Sequence, residues 1–249
     1  MEKEQGFNAN QLKLIAIIAM TIDHLTSVIF PNYPTNWWII GLHMIGRLTA
    51  PIMWFFIAEG YHYTHNIKKY ALRLFTFAVI SHFAYNFAFG IPFIPFQTSI
   101  FNQTSVIWSL AWGLVALIIH NSTKLKQWQK LITIFGIAII SFCSDWSSIA
   151  VLAILQIGIN RGNFKKQMIG MLLYTCIYAI VYVIFIHPIY GVIQMFVALA
   201  IPLLKSYNGK VGKWKGMKWF FYVYYPLHLG ICGIIRIILY GNIGIMIGG

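Results

Sequence analysis

The chain has 249 residues, of which 59% are hydrophobic and only 9% charged. A soluble domain carries about 25% charged residues, so this composition excludes a water-soluble globular protein, a disordered chain and a disulfide scaffold. It points to the all-α class, as a polytopic integral membrane helical bundle. The net charge of +13 would suggest nucleic acid as the partner of a soluble protein. Here the basic residues sit in loops, as cytoplasmic loops of membrane proteins require, so the expected partner is the lipid bilayer and no nucleic acid. Cys143, Cys176 and Cys232 are isolated in apolar segments, and no Cys/His spacing suggests a metal site.

In chain order, hydrophobic segments occupy 11–30, 37–62, 70–89, 104–120, 130–144, 146–160, 167–186, 188–204 and 217–239. A bilayer-crossing helix needs about 20 residues, so the expectation is about nine transmembrane helices in a single domain, 1–249. The second segment is long enough to tilt or to emerge into the cytosol. The fifth and sixth are short, meet at Cys143–Trp146, and are equally readable as one hairpin that crosses incompletely. The segment 90–103 is polar, aromatic and uncharged, and reads as interfacial or re-entrant.

The loops check this count. Lys3 and Lys13; Lys68, Lys69 and Arg73; Lys124, Lys126 and Lys130; Arg161, Lys165 and Lys166; and Lys205, Lys210, Lys213, Lys215 and Lys218 all fall on alternate loops. They make up 16 of the 18 basic residues, and the intervening loops carry none. The positive-inside rule then places the N-terminus in the cytosol, Gly249 outside, and the protein in the plasma membrane as a multi-pass chain. The first segment lacks a small-x-small cleavage site and contains Asp23-His24, so it reads as a retained helix rather than a signal peptide. No internal repeat is evident.

Ionisable groups inside a bilayer are costly and mark functional sites by default. At 1.5 Å of rise per residue, Asp23 and His24 lie about 15 Å above Lys13, and Arg47 lies about 15 Å below Trp37. His82 lies about 14 Å from Arg73, and His228 about 15 Å from Lys218. These five side chains therefore share one level near the bilayer middle, where convergence would form a polar chamber. Asp23 and His24 are about 100° apart on a helix and do not face each other. Asp23 needs a partner from another helix, and Arg47 is the basic residue at its depth. That pair reads either as a structural ion pair or as the scaffold of a site.

Other positions carry similar alternatives. His24 is either a hydrogen-bonded core histidine or a base. His43, Arg47, Ala50, Pro51, Trp54 and Ala58 share a helix face, and Pro51 is expected to kink the helix beside Arg47. Glu59 is expected to pair with Lys68, Lys69 or Arg73 near the cytosolic surface. Lys68, Lys69, Tyr70 and Arg73 form either a membrane anchor or a grip for the phosphates of a nucleotide-like ligand. His82 and Asn86, with Tyr85, form a polar stripe on the third segment. In the last segment Tyr224, Tyr225, His228, Cys232 and Arg236 share a face, interrupted by Pro226.

The stretch Lys13 to His24, the block Gly46-Arg47-Leu48-Thr49-Ala50-Pro51 continuing through Phe55–Tyr61 to Lys69-Tyr70 and Arg73-Leu74, and the late Tyr224–Leu229 together resemble the TraX family of membrane acetyltransferases. The resemblance covers about the first third of the chain and one late helix. It implies an acyltransferase that takes an acetyl group from cytosolic acetyl-CoA, used as a co-substrate without a metal. The acceptor would be an amine or hydroxyl, such as a pilin or other protein N-terminus or a cell-surface glycan. On that reading the catalytic residues are Asp23, His24, Arg47 and His228. His24 is the base, Arg47 and His228 hold the oxyanion or the acceptor, and Asp23 sets Arg47. Glu59, Lys68, Lys69, Tyr70 and Arg73 form the acetyl-CoA entrance, and His43, His82, Asn86 and Tyr225 bind substrate. The rival readings are a proton-coupled small-molecule transporter and a non-catalytic assembly protein.

Overall fold

The computed structural model describes residues 6–97 and 99–245. Lys3 and Gly249, and the side chain of Lys218, lie outside the described residues. The described chain is all-helical, with isolated bridges at Phe7–Tyr207 and Thr104–Ser144 and no strand. The helices are α1 (Ala9–Ile29), α2 (Trp37–Gly46), α3 (Thr49–Tyr63), α4 (Ile67–Phe89), α5 (Val106–His120) and α6 (Gln127–Ser141). They continue with α7 (Ser147–Ile159), α8 (Phe164–Phe185), α9 (Pro188–Gln194), a 3-10 turn (Met195–Leu199), α10 (Ala200–Lys205) and α11 (Met217–Tyr240).

Each of the nine hydrophobic segments is helical, but their lengths divide them. Among the described residues six stretches are long and apolar enough to cross a membrane: Ala9–Ile29, Trp37–Tyr63, Ile67–Phe89, Phe164–Phe185, Pro188–Lys205 and Trp219–Tyr240. The 15 residues each of α5 and α6 and the 13 of α7 reach only about 20–22 Å at 1.5 Å per residue, short of a hydrocarbon core of about 30 Å. Phe135, Ile184 and Ile238 are 68%, 64% and 77% exposed, which water would not tolerate on this scale and a bilayer requires. This is a membrane protein.

The chain forms two compact units. The first comprises 1–53, 87–90 and 175–249, and the second comprises 54–86 and 91–174. In the first unit α1 packs against α2 and α11, and α2 against α9. Asn8 caps α1 by accepting from the Gln11 amide, while the Gln11 side chain accepts from the Asn8 amide. This capping box satisfies two donors that the helix start leaves open. The same end pairs with the basic segment before α11, through Phe7 to Ser206 and Ala9 to Lys210. At the opposite end, whose loops carry no Lys or Arg, the Tyr240 hydroxyl donates to the Ile29 carbonyl. Arg236, fully buried, donates there to the Phe87, Ala88 and Ile243 carbonyls. It thus covers acceptors that the end of α4 would leave unpaired. Gly90, at φ +68°, makes this possible, because a Cβ there would lie 2.8 Å from the Arg236 guanidinium.

The second unit shows the same separation of ends. At its basic end Lys130 Nζ donates to the His120 carbonyl at 2.8 Å. At its other end, whose loops carry no Lys or Arg, the Gln103 amide donates to the Cys143 carbonyl and the Asp145 amide to the Thr104 carbonyl. The α6–α7 turn closes through Trp146 and Ser147, both at positive φ. Trp146 is held there by an edge-on contact with buried Trp54, at 5.1 Å between ring centroids.

The second segment is not one kinked helix. It breaks at Arg47–Leu48, and Pro51 falls in the first turn of α3, where the missing N–H of a proline costs least. The segment 188–204 is also interrupted, by the 3-10 turn after Gln194. Interrupted helices free backbone groups and redirect side chains at depths where only buried protein tolerates them.

Candidate active site

Both interruptions in the first unit adjoin the same polar group. Asp23, on α1, receives Arg47 Nη2 on Oδ2 at 2.6 Å and His43 Nδ1 on Oδ1 at 2.8 Å. Arg47, at the end of α2, donates Nη1 to Gln194 Oε1 at 2.8 Å and Nε to the His43 carbonyl at 3.3 Å. Gln194 in turn donates to the Tyr190 carbonyl at 3.2 Å. All four side chains are buried, His43 and Gln194 completely. The helices approach closely because position 46 is glycine: a Cβ there would lie 2.5 Å from the Asp23 side chain. A buried charge is tolerable when paired and hydrogen-bonded, and both Asp23 oxygens are.

His24 faces elsewhere. Its Nδ1 lies 2.7 Å from His228 Nε2 on α11, with the two rings within 5° of parallel. His228 Nδ1 is 3.0 Å from the Tyr224 carbonyl. A carbonyl only accepts, so His228 carries its hydrogen on Nδ1 and presents a lone pair on Nε2. His24 then donates from Nδ1, and its own lone pair is on Nε2. Phe89 and Tyr225 pack edge-on against the His24 ring. A cleft of about 100 Å³ adjoins His228 and is lined by Thr21, Leu25, Tyr224, Leu227, Ile231 and Cys232. Within it the Tyr224 hydroxyl is 2.8 Å from Thr21 Oγ1, which donates to the Ile17 carbonyl.

The four residues assigned to chemistry thus meet as two hydrogen-bonded groups, built on the consecutive positions Asp23 and His24 of α1. Of the four, only His228 lines the cleft. Tyr225 is buried against both histidines. His43, expected on the substrate side, is a direct partner of Asp23. Gln194 and Tyr190 were not singled out, although a lone glutamine in the apolar run 188–204 is a readable signal.

The remaining assigned residues lie in the second unit. Glu59 pairs with Arg161, at 2.9 Å to Nε and 3.2 Å to Nη2, and not with Lys68, Lys69 or Arg73. Arg161 arrives from the α7–α8 loop, 102 positions away, and its fork matches the carboxylate with two bonds. Donating to the Glu59 carboxylate raises the Arg161 pKa further above its already high value. Lys68 and Lys69 are exposed, and the Arg73 guanidinium lies 5.3 Å from the Tyr70 ring centroid. His82 and Asn86 hold the 91–104 segment: His82 bonds Thr104 Oγ1 at 3.0 Å and the Phe93 carbonyl at 2.7 Å, and Asn86 donates to the Pro92 carbonyl at 2.9 Å. The polar stripe thus bonds the loop that follows α4.

The family model described as TraX protein matches residues 8–236. The chain belongs to the TraX family. It is also 31% identical, over 93% of its own length and 96% of the relative's, to the probable fimbrial assembly protein FimC, serogroup H1, of Dichelobacter nodosus. No solved structure matches it. The match runs from the start of α1 to Arg236 within α11, so the two polar groups and the basic end of the second unit all belong to the TraX region.

Proposed function

We propose that this TraX-family protein is a plasma-membrane acetyltransferase, a single transmembrane acyltransferase-like domain. It moves an acetyl group from cytosolic acetyl-CoA to an amine or hydroxyl acceptor. The observation that carries this reading is the buried cluster Asp23–His43–Arg47–Gln194 beside the His24–His228 pair. Acetyl transfer from a thioester needs a base for the acceptor and fixed positive charge for the oxyanion. His24 Nε2 supplies the base, and His228 holds the ring in the required tautomer. Arg47 supplies the charge, preorganised by Asp23 and Gln194. Lys68, Lys69, Tyr70 and Arg73 hold the acetyl-CoA phosphates, and Glu59 positions Arg161 at the same basic end. The relative's name ties that protein to fimbrial assembly, which favours a protein N-terminus over a glycan as acceptor.

The test is incubation of the purified protein with labelled acetyl-CoA. CoA release or acetyl transfer supports the enzyme, whereas solute uptake without CoA consumption supports a transporter.

The orientation is part of the proposal. All loop-borne basic residues face the cytosol, as does the N-terminus. Cysteines placed at Asn102 and Ser206 should label from opposite sides of the membrane. Labelling of both from one side would overturn the orientation.

A further inference from the structure

The segment between α10 and α11, residues 206–216, is tied to the start of α1 along its length. The Phe7 amide donates to the Ser206 carbonyl at 3.0 Å, and the Asn208 amide donates back to the Phe7 carbonyl at 3.0 Å. The Ala9 and Asn10 amides donate to the Lys210 and Val211 carbonyls at 2.9 and 3.1 Å. Asn10 Nδ2 donates to the Trp214 carbonyl at 2.8 Å. Gly212, at φ +97°, permits this approach, because a Cβ there would lie 2.6 Å from Asn8 Oδ1. All three helices belong to stretches long and apolar enough to cross a membrane. A segment held to the ends of three such helices stays at the level of the lipid headgroups.

Its side chains are of two kinds. Lys210, Lys213 and Lys215 are exposed, and among the described residues none makes a side-chain hydrogen bond or ion pair. In the second unit, by contrast, Arg161 is taken by Glu59 and Lys130 Nζ by the His120 carbonyl. From Lys205 to Lys218 the sequence has five lysines and no acidic residue. Glu2 and Glu4, outside the described residues, are too few to balance them. Between the lysines the segment exposes Val211 by 69% and Trp214 by 50%. The Trp214 ring is fixed against Phe220, at 5.2 Å between centroids. Water disfavours such apolar groups on a loop pinned in place. A bilayer surface accepts them, because an indole sits at headgroup level and lysine stems lie along apolar surface with the ammonium outward.

We propose that residues 206–216 form a docking surface for anionic phospholipid headgroups. Lys210, Lys213 and Lys215 hold the phosphates, and Val211 and Trp214 seat among the lipids. A free phosphate would satisfy the lysines and leave the valine and the indole in water, so the lipid is the ligand that matches both. A zwitterionic headgroup carries its own cation beside the phosphate, so the lysines favour a headgroup with net negative charge. Each lysine near an anionic surface is worth about fivefold in affinity, and three together about 10²-fold. This surface contains none of the residues assigned to acetyl-CoA, and its role needs no acetyl transfer.

The test uses the full-length chain in neutral detergent micelles, with Cys143, Cys176 and Cys232 replaced by alanine and Val211→Cys carrying an environment-sensitive dye. Titration with phosphatidylglycerol should shift the emission to the blue, and titration with phosphatidylcholine should not. Lys210→Gln, Lys213→Gln and Lys215→Gln combined should need about 10²-fold more phosphatidylglycerol for the same shift. Lys124→Gln with Lys126→Gln, on another basic loop, should leave the titration unchanged. Equal shifts with both lipids, or a titration that the triple variant does not move, overturn the proposal. An equal loss in the Lys124 and Lys126 variant overturns its assignment to this segment. A shift produced by inorganic phosphate or acetyl-CoA alone overturns the lipid as the source of the anion. If the labelled chain does not fold, thermal unfolding of the unlabelled protein answers the same question. Phosphatidylglycerol should then raise the melting temperature of the wild type more than phosphatidylcholine does, and the triple variant should lose that difference. A wild type stabilised equally by both lipids overturns the proposal.

Discussion

Asp23→Asn should lower both the melting temperature and the rate of acetyl transfer. Its two oxygens accept from different helical positions, Oδ2 from Arg47 at 2.6 Å and Oδ1 from His43 at 2.8 Å. An asparagine keeps one acceptor and turns an amide towards the other donor. Arg47, 2% exposed, then carries a buried charge without its carboxylate. Removing one partner of a buried pair costs about 3–5 kcal/mol, a large part of the about 5–15 kcal/mol that stabilises a typical fold. A second variant separates stability from chemistry. Asp23→Asn combined with Arg47→Met removes the stranded charge and should recover much of the melting temperature, because replacing both partners of a buried pair by apolar groups is often close to neutral. It should not recover acetyl transfer, since the fixed positive charge is gone. Thermal unfolding in detergent and acetyl-CoA turnover, measured on the same preparations, check both outcomes. An unchanged melting temperature in Asp23→Asn would mean that the carboxylate does not hold the cluster together.

His24→Asn should behave differently, with turnover falling by about 10²–10⁴-fold, the value of a positioned base, at little cost in stability. The asparagine amide can replace Nδ1 as the donor to His228 Nε2, which lies 2.7 Å away, while the lone pair of His24 Nε2 is lost. Affinity for acetyl-CoA should hold near the wild-type value, because the phosphate grip is assigned to Lys68, Lys69 and Arg73 in the other unit. A loss confined to turnover, with binding kept, is the mark of an interaction made in the transition state. Near-normal turnover would remove His24 as the base.

Much of this was legible in the sequence, for a local reason. Hydropathy and the 3.6-residue period depend on neighbours along the chain, so the nine helical segments and the loops that gather the lysines and arginines could be read directly. The Asp23–Arg47 partnership could be read as well, by elimination: a carboxylate at that depth needs a cation, and Arg47 is the one whose distance along its segment matches. The spacing of His43 and Arg47 already put them on one helix face.

What the tertiary structure decided are the meetings between residues far apart in the chain. Asp23 reaches both His43 and Arg47 because α2 ends at Gly46, and glycine there lets the two helices close on the carboxylate. His24 turns to His228, 204 positions away, and Glu59 to Arg161, 102 positions away, when basic residues nearer in sequence were available to Glu59. Gln194 joins Arg47 because its helix gives way to a 3-10 turn at that point. His82 and Asn86 have the spacing of a polar stripe, yet they anchor the segment that folds back over them. Periodicity fixes which face of a helix a side chain occupies. Which other helix covers that face is set by packing and by the requirement that each buried polar group find a partner.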